Sequence, residues 1–314
     1  MTNFIVNAVQ LLILLLAAPL LRGVIGKLKA IIQKRQGASV WRPYADLWKL
    51  LHKEELTPKT ATFVFQAAPM IGFAVTVVAA AFLPLLHPGA LLGLDGDIFL
   101  FVYLLAMSRF VISLGALDGG SAFGGMGSSR EALIAALAEA PLLLVLTALA
   151  ILAKTGSLSE IARWTIAQNF FDVSTVHILA FAAMAIVAVA ETGRIPVDNP
   201  TTHLELTMIH EAMVLEYSGP SLALIEWSQA IKLHLMAALM IGLFSPWGMA
   251  TGGSLLGLAA AFGFFALKVL CLALALSVIE SSVAKLRMYA VPDFLRVASA
   301  LGILAVIFTA ITRR

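Results

Sequence analysis

Long apolar segments alternate with short polar ones along the whole chain. About 20 apolar residues cross a bilayer as a helix, and eight segments approach or reach that length. The predicted spans lie at 4–25, 64–86, 98–117, 132–153, 175–192, 221–245, 254–282 and 293–312. The pattern therefore predicts an all-α, polytopic integral membrane protein with about eight transmembrane helices. We expect residues 1–314 to form a single transmembrane domain.

The composition supports a lipid environment. Hydrophobic residues make up 61% of the 314 and charged residues only 12%, against roughly 25% charged in soluble domains. In lipid the apolar side chains face outward and helices satisfy their own backbone hydrogen bonds. The first apolar run, Phe4–Leu21, has no cationic segment before it and no small-residue cleavage site after it. We expect it to be a retained span rather than a signal peptide.

Basic residues are distributed unequally between the two sides of the predicted bundle. One side carries Lys27, Lys29, Lys34, Arg35, Arg42, Lys49, Lys53, Lys59, Arg130, Arg194, Lys285, Arg287 and Arg296. The other side carries Lys154, Arg163, Arg313 and Arg314. The positive-inside rule predicts that the long loops, about 26–63 and 191–220, are cytoplasmic and that both termini lie opposite. Basic residues near lipid headgroups also explain the basic isoelectric point, so no nucleic acid is expected as a partner.

The first long loop contains a segment with helical amphipathicity. Leu47, Leu50 and Leu51 fall on one face with Trp48 beside them, while Lys49 and Lys53 fall on the other. Two interpretations stay open: a helix lying among the lipid headgroups, or a surface that docks a cytoplasmic partner.

The second long loop is rich in ionisable groups. Pro196 and Pro200 interrupt any helix, and a short helix is expected to begin near Thr202. Its carboxylates are Glu191, Asp198, Glu205, Glu211 and Glu216, with Arg194, His203 and His210 among them. The spacing of the two histidines does not suit a metal site. The loop is either a solvated acidic surface or, as we prefer, the acidic entry to a polar path through the membrane.

Charged residues also interrupt the predicted spans. They are Arg109, Glu139, Glu226, Lys232, His234, Lys268 and Glu280. Each costs several kcal/mol in lipid unless it is paired or hydrated, and such residues usually face the bundle interior. They therefore indicate either interhelical ion pairs or a route for protons or ions, with Glu139 the strongest candidate for the second role.

The segment 118–131 is rich in glycine and ends at a predicted helix start, with Ser128 or Ser129 as the N-cap. Its spacing matches neither common phosphate-binding motif. We expect a tight loop packed against a neighbouring subunit. The one cysteine, Cys271, excludes an internal disulfide and a zinc site or iron–sulfur cluster held by cysteines of this chain alone.

Several segments together resemble one family. They are Gln33–Glu54, Ser129-Arg130-Glu131 with Glu139 nine residues after Arg130, the run 190–198 containing Arg-Ile-Pro-Val-Asp, Glu216-Tyr217-Ser218-Gly219, and 280–287. The chain resembles, over nearly its whole length, the membrane-anchor subunit shared by respiratory complex I (subunit 1) and the group 4 energy-converting nickel–iron (NiFe) hydrogenases, among them the formate hydrogenlyase type.

The glycine-rich segment 118–131 is similar to that of the hydrogenase branch rather than the quinone-reducing branch. After Asp198 the chain departs from the family pattern, because Thr201 and His203 stand where carboxylates are expected and Glu205 is kept. The departure weakens any mechanism that needs the full glutamate cluster. It favours a member similar to hydrogenase-4 or to the carbon monoxide-linked hydrogenases.

The resemblance implies a membrane-anchor and coupling subunit in the plasma membrane of a prokaryote. It implies proton or ion coupling by Glu139, Glu191, Asp198, Glu205, Glu211, Glu216, Glu226, Lys232 and Glu280. It implies structural ion pairs of Arg109, Arg130 and Arg194, and docking of soluble partners by Arg35, Arg42, Asp46, Lys49 and Lys53. The chain is expected to hold no cofactor, while a NiFe-hydrogenase large subunit and a small iron–sulfur subunit hold the metals beside antiporter-like membrane subunits.

Three other functions stay open at this stage. A quinone-site subunit, as in complex I, requires an amphipathic chamber beneath the first and sixth spans. A stand-alone ion or solute transporter is disfavoured because no inverted repeat is evident. A purely structural anchor is disfavoured by the carboxylates inside the spans.

Overall fold

A computed structural model describes residues 2–168, 174–199, 208–250, 252 and 254–312, and within these ranges the chain is helical and contains no strand. The helices are α1 Thr2–Ile32, α2 Arg42–Leu51, α3 Phe63–Ala80, α4 Asp97–Asp118, α5 Ala122–Ala153, α6 Leu158–Ala167, α7 Thr175–Glu191, α8 His210–Val214, α9 Gly219–Phe244, α10 Leu255–Ser282 and α11 Val291–Thr312. A 3₁₀ turn, Met288–Ala290, precedes α11.

Eight of these helices correspond to the eight predicted spans. In the described residues, seven are long and apolar enough to cross a membrane: α1, α3, α4, α5, α9, α10 and α11. The eighth, α7, is apolar but has 17 residues. The prediction of a polytopic all-α membrane protein is confirmed.

Helix α9 lies at the centre of the bundle. In its most apolar stretch 83% of the residues are buried, more than in any other spanning helix described. It packs against α1, α3, α7 and α10, and also against the short helices α2 and α6. Although Glu226 and Lys232 interrupt its apolar sequence, α9 is one continuous helix. Its central position explains how it carries charge, because its side chains meet other helices rather than lipid.

The polar loops converge on one face of the bundle, which we call the loop face and define by residues 33–62, 192–199, 208–218 and 283–287. The Leu56 N–H donates to the Ser218 hydroxyl oxygen at 2.8 Å. The Leu286 N–H donates to the Pro196 carbonyl oxygen at 2.8 Å. The two long loops therefore meet each other and the connection between α10 and α11.

Helix α2 confirms the predicted amphipathic segment of the first long loop. Pro43 stands in its first turn, where a missing N–H costs nothing. Trp41 and Trp48 are exposed, whereas the Tyr44 hydroxyl donates to the Leu16 carbonyl oxygen of α1 at 2.5 Å. The helix thus lies against the bundle with aromatic side chains still free on its outer side.

The prediction of a glycine-rich loop up to Glu131 is wrong. Helix α5 begins at Ala122, and its N-cap is Ser121, whose hydroxyl accepts from the Gly124 N–H at 3.1 Å. Ser128 and Ser129 lie inside the helix. A Cβ at Gly127 would lie 2.9 Å from the Ile209 carbonyl oxygen, so the glycine permits close packing against the chain's own segment 209–213. The expected contact of this region with a neighbouring subunit stays a prediction.

Candidate functional site

One of the buried carboxylates of the bundle is Glu191, the last residue of α7. Its side chain is fully inaccessible to solvent. The Arg109 Nη2 atom of α4 lies 3.0 Å from Glu191 Oε1, and the Lys232 Nζ atom of α9 lies 3.2 Å from Oε2. Two cations on one buried carboxylate keep it ionised despite the cost of removing charge from water.

Arg109 connects this carboxylate to a second one. The same Nη2 atom lies 3.4 Å from Oε1 of Glu139 on α5. The Glu139 side chain is 33% exposed, whereas that of Glu191 is 0% exposed. The four side chains form a continuous series from α9 through α7 and α4 to α5, which we call the charge series: Lys232, Glu191, Arg109 and Glu139. It runs from the buried centre to the outside of the bundle.

A second buried carboxylate, Glu280 of α10, joins three further segments. Lys29 Nζ of α1 lies 2.8 Å from its Oε2 atom, and Arg194 Nη1 lies 3.3 Å from Oε1. Burial lowers the pKa of the Arg194 guanidinium, and the negative charge of Glu280 opposes that shift. Arg194 therefore fixes the segment after α7 to α10 by a desolvated ion pair.

Asp198 anchors the loop that follows α7. Lys285 Nζ lies 2.9 Å from its Oδ1 atom. The N–H groups of Asn199 and His210 donate to its two oxygens at 2.9 and 3.2 Å. One buried carboxylate thus holds together the two ends of the second long loop and the connection before α11.

Several of these groups line a cavity of about 210 Å³ beneath the loop face, which we call the charged cavity. Arg22 of α1 and Glu226 of α9 form an ion pair at its wall. Its charged lining residues are Arg22, Lys29, Glu131, Glu191, Arg194, Asp198, Glu211, Glu226 and Lys232. Because charges of both signs line one small space, a proton or a small ion entering it changes the balance of several ion pairs at once.

A second cavity of about 320 Å³ adjoins the first. It lies between α1, α2 and α9, and Arg22 and Glu226 line both cavities. The other walls are mainly apolar, with Pro19, Leu47 and Leu222 among them. The two cavities together form an amphipathic space beneath the first and sixth predicted spans.

The structure brings together most of the residues singled out from the sequence. Glu139, Glu191, Asp198, Glu226, Lys232, Glu280, Arg109 and Arg194 all take part in the ion pairs above. Glu211 lines the charged cavity, and Glu216 is exposed on the loop face. Glu205 and the predicted helix start near Thr202 lie outside the described residues, as does His203.

The Arg130 guanidinium donates to the Met208 carbonyl oxygen at 2.9 Å, and no carboxylate among the described residues pairs with it, so its expected ion pair stays a prediction. In the sixth predicted span, each charged residue has a partner on another helix. Glu226 pairs with Arg22 and Lys232 pairs with Glu191, while His234 Nδ1 meets the Leu14 carbonyl oxygen at 3.1 Å. The charged residues of α9 therefore interact with residues of other helices rather than with one another.

Four charged residues of the site were missed in the sequence: Arg22, Lys29, Glu131 and Lys285. Arg22 carries the same signal as the other charges, because it falls within the first predicted span, 4–25. Lys29 and Lys285 stood out only as contributors to the charge asymmetry. A count of loop charges cannot distinguish them from cations that meet lipid headgroups.

The residues expected to dock a partner lie on the outside of the loop face. The side chains of Arg35, Arg42, Lys49 and Lys53 are exposed. Arg42 Nε lies 2.9 Å from Asp46 Oδ1 one turn along α2. Exposed i,i+4 pairs of this kind contribute little stability, so these charges remain free to meet a partner. Among the residues that the structure describes, no group of three or more His, Cys, Asp and Glu side chains is arranged to hold a metal ion.

The helices and buried ion pairs define a class: polytopic membrane proteins with a charged cavity beneath one face. The sequence identifies the family within that class. The chain belongs to the family described as NADH dehydrogenase, whose match covers residues 6–310.

Two relatives from Escherichia coli (strain K12) match across nearly their full length. Hydrogenase-4 component C is 33% identical over 299 residues, covering 95% of this chain and 93% of the relative. Formate hydrogenlyase subunit 4 is 32% identical over 292 residues, covering 90% and 91%. The resemblance to this family predicted from the sequence motifs is confirmed.

A solved structure shares the fold. It is described as the membrane-bound sulfane sulfur reductase, an archaeal respiratory membrane complex. One of its chains superposes with a TM-score of 0.84, covering 98% of this chain and 99% of that one at 21% identity.

Proposed function

We propose that this chain is the membrane-anchor and coupling subunit of a membrane-bound, energy-converting hydrogenase complex. Its loop face docks an iron–sulfur subunit and a NiFe-hydrogenase large subunit, which hold the metals. Its charge series links their redox chemistry to H⁺ or Na⁺ translocation through antiporter-like membrane subunits. The names of the two Escherichia coli relatives support the hydrogenase assignment.

The observation that carries the coupling role is the shared position of Arg109. Its Nη2 atom lies 3.0 Å from Glu191 and 3.4 Å from Glu139. Its Nε and Nη1 atoms are buried and make no hydrogen bond within the described residues. A guanidinium has five donors in a fixed fork, so a small rotation exchanges one carboxylate for the other without leaving the cation unpaired.

This exchange connects the charged cavity to the outside of the bundle. When a proton or a moved loop weakens the attraction of Glu191 for Arg109, the Arg109 guanidinium turns towards Glu139. When Glu191 attracts the cation again, Glu139 loses its counter-charge. A change at the loop face is thereby transmitted across α4 and α5 to a partly exposed carboxylate.

The subunit assignment is tested by purifying the tagged chain from its native membrane in mild detergent and identifying what accompanies it. Iron–sulfur subunits together with nickel and hydrogen evolution are expected. Partners that lack nickel but transfer electrons to quinone would overturn the hydrogenase assignment. A stable, active chain without partners would overturn the coupling role and favour a stand-alone transporter.

The coupling role is tested with Glu139→Gln in the intact complex. The variant is expected to evolve hydrogen at close to the normal rate while ion translocation into inverted vesicles falls at least about tenfold. Glu205→Gln is expected to behave likewise. Glu160→Gln is the matched control, since Glu160 forms an exposed pair with Arg163 on α6. Normal translocation in both coupling variants would contradict the role.

A second candidate, a quinone-site subunit, is favoured by the cavity between α1, α2 and α9. An apolar tail fits the walls near Leu47 and Leu222, and a polar ring fits the end near Arg22 and Glu226. This function predicts electron transfer from the intact complex to a short-chain ubiquinone, and its loss in Leu47→Trp, which narrows the apolar part. Activity unaffected by that variant and by quinone-site inhibitors would exclude it.

A further inference from the structure

An open groove runs along the outside of the bundle, and its cationic end shares no lining residue with the charged cavity. Helices α7 and α10 form its walls, and the central helix α9 forms its floor. It contains two connected cavities, of about 480 and about 260 Å³. Phe181, Met240 and Leu272 line both of them. We call this feature the lateral groove.

The lateral groove is apolar along most of its length and has one fixed charge at one end. The described residues that line the cavity of about 260 Å³ include no Asp, Glu, Lys or Arg. In the cavity of about 480 Å³ the only described residue with a fixed charge is Lys268. The groove therefore has the polarity of an amphiphile with an apolar tail and an anionic head.

The Lys268 ammonium is positioned to bind an anion. Its ammonium donates to the Ser245 carbonyl oxygen at 2.5 Å and to the Trp247 carbonyl oxygen. An ammonium has three donors, and no carboxylate among the described residues pairs with this one. Two neutral carbonyls position the cation without neutralising it. His177 lines the same cavity, and its buried Nε2 atom has no hydrogen-bond partner in the described part of the chain.

The charged end of the lateral groove lies at the end of α9 that is opposite the loop face. Ser245 and Trp247 follow the end of α9, whose 26 residues span about 39 Å from the loop face, against roughly 30 Å of hydrocarbon. The Trp247 indole N–H donates to the Gln168 carbonyl oxygen at 3.2 Å, and Trp164 stacks on His177. Tryptophan is enriched at membrane interfaces, and Trp164 and Trp247 both lie at this end of the groove.

The dimensions suit a lipid better than a protein helix. From Lys268 to Ile279 the groove follows α10 for about 16 Å, close to half of the roughly 30 Å hydrocarbon thickness. A helix with its side chains is about 10–12 Å wide, whereas cavities of about 480 and about 260 Å³ are in the range of small-ligand sites. We propose that the lateral groove binds an anionic phospholipid, with its phosphate at Lys268 and an acyl chain along α10.

Lipid titration of the purified full-length chain tests this site. The delipidated protein is titrated with phosphatidylglycerol or with phosphatidylcholine of the same acyl chains, and bound lipid is counted by native mass spectrometry. The first phosphatidylglycerol is expected to bind about fivefold more tightly than phosphatidylcholine, as one cation–headgroup contact allows. Lys268→Gln is expected to remove the preference, and Lys268→Arg to retain it.

Arg163→Gln is the matched control, because Arg163 is an exposed cation on α6. It is expected to leave the preference unchanged. Equal affinities for the two lipids in the unaltered protein would overturn the proposal, as would a preference that survives Lys268→Gln.

Cys271 provides a second measurement that depends on position rather than on total lipid bound. It is the only cysteine and lines the lateral groove one turn from Lys268. Phosphatidylglycerol is expected to slow its modification by N-ethylmaleimide several-fold, and Lys268→Gln is expected to abolish that protection. Modification that is indifferent to lipid, with Cys271 instead shielded in native membranes by a crosslinkable partner subunit, would show that a protein helix fills the groove and would overturn the lipid site.

Discussion

The residue that decides the properties of the charge series is Glu191. It is the only carboxylate of the series with no solvent access, and it neutralises cations from two helices. Breaking one partner of a buried ion pair costs far more than breaking an exposed pair, because the remaining charge stays desolvated. The Glu139 side chain is 33% exposed, so its loss is expected to cost less stability than the loss of Glu191.

Glu191→Gln is expected to destabilise the purified chain by about 3–5 kcal/mol, since Arg109 and Lys232 lose a buried counter-charge. Adding Lys232→Gln is expected to restore much of that loss, because the remaining cation, Arg109, keeps Glu139. Thermal unfolding in one detergent measures both variants. Glu160→Gln, which breaks an exposed pair, is the control and is expected to cost under about 1 kcal/mol. A double variant less stable than the single one would contradict this arrangement.

At the scale of the elements, small residues determine where helices approach one another. Gly115 of α4 faces the Tyr217 hydroxyl and the Ala68 Cβ atom so closely that a Cβ would overlap the hydroxyl. Tyr217 in turn stacks on Phe65 with ring centroids 4.0 Å apart and donates to the Phe65 carbonyl oxygen at 3.2 Å. Burial raises the pKa of the Tyr217 hydroxyl, which keeps it protonated as a donor. The Glu-Tyr-Ser-Gly motif is therefore a packing element between α3 and α4.

Gly115→Ala is expected to cost about 1–3 kcal/mol, as overpacking of a close contact does. Adding Tyr217→Phe removes the hydroxyl oxygen that would overlap the new Cβ atom, and it is expected to recover part of the lost stability. Gly125→Ala is the control, since a Cβ there meets nothing within 4 Å and alanine favours a helix over glycine by about 1 kcal/mol. Unfolding midpoints of the three variants measure the effects. A cost for Gly125→Ala as large as that for Gly115→Ala would refute the steric explanation.

Elements that depend on local sequence could be predicted, and those that depend on distant contacts could not. The span predicted at 175–192 is α7, Thr175–Glu191, because hydropathy is a property of adjacent residues. The start of α5 was placed too late, since glycine disfavours helices whereas here tertiary packing requires it at Gly127. The ion pair of Arg22 with Glu226 joins residues 204 positions apart, and no local pattern indicates such a partner.

At the scale of the whole molecule, the two faces differ in kind. The loop face gathers the carboxylates and the exposed basic residues of α2. On the opposite face the connections after α3 and after α9 meet, with the Ala250 N–H donating to the Leu86 carbonyl oxygen at 2.7 Å. The charged cavity opens towards the first face and the cationic end of the lateral groove towards the second. This asymmetry agrees with the proposed arrangement of a soluble arm on one side only.

The positive-inside rule predicts that the loop face is cytoplasmic. In a Cys271→Ser background, Lys53→Cys is expected to resist a membrane-impermeant maleimide in intact cells and to react after the cells are opened. Lys154→Cys, at the end of α5 on the opposite face, is expected to react in intact cells. Labelling is measured by mass shift of the tagged chain. The reverse pattern would invert the orientation and place the docking residues outside the cytoplasm.

The order of the charge series along the chain bears on how the protein is made. Arg109 is synthesised first, then Glu139, Glu191 and Lys232, so cation and anion numbers never differ by more than one as these helices emerge. Each helix that enters the membrane brings a counter-charge for a residue already there, which limits the penalty for inserting charge into lipid. The order of these charges along the chain thus favours insertion of the bundle one helix at a time.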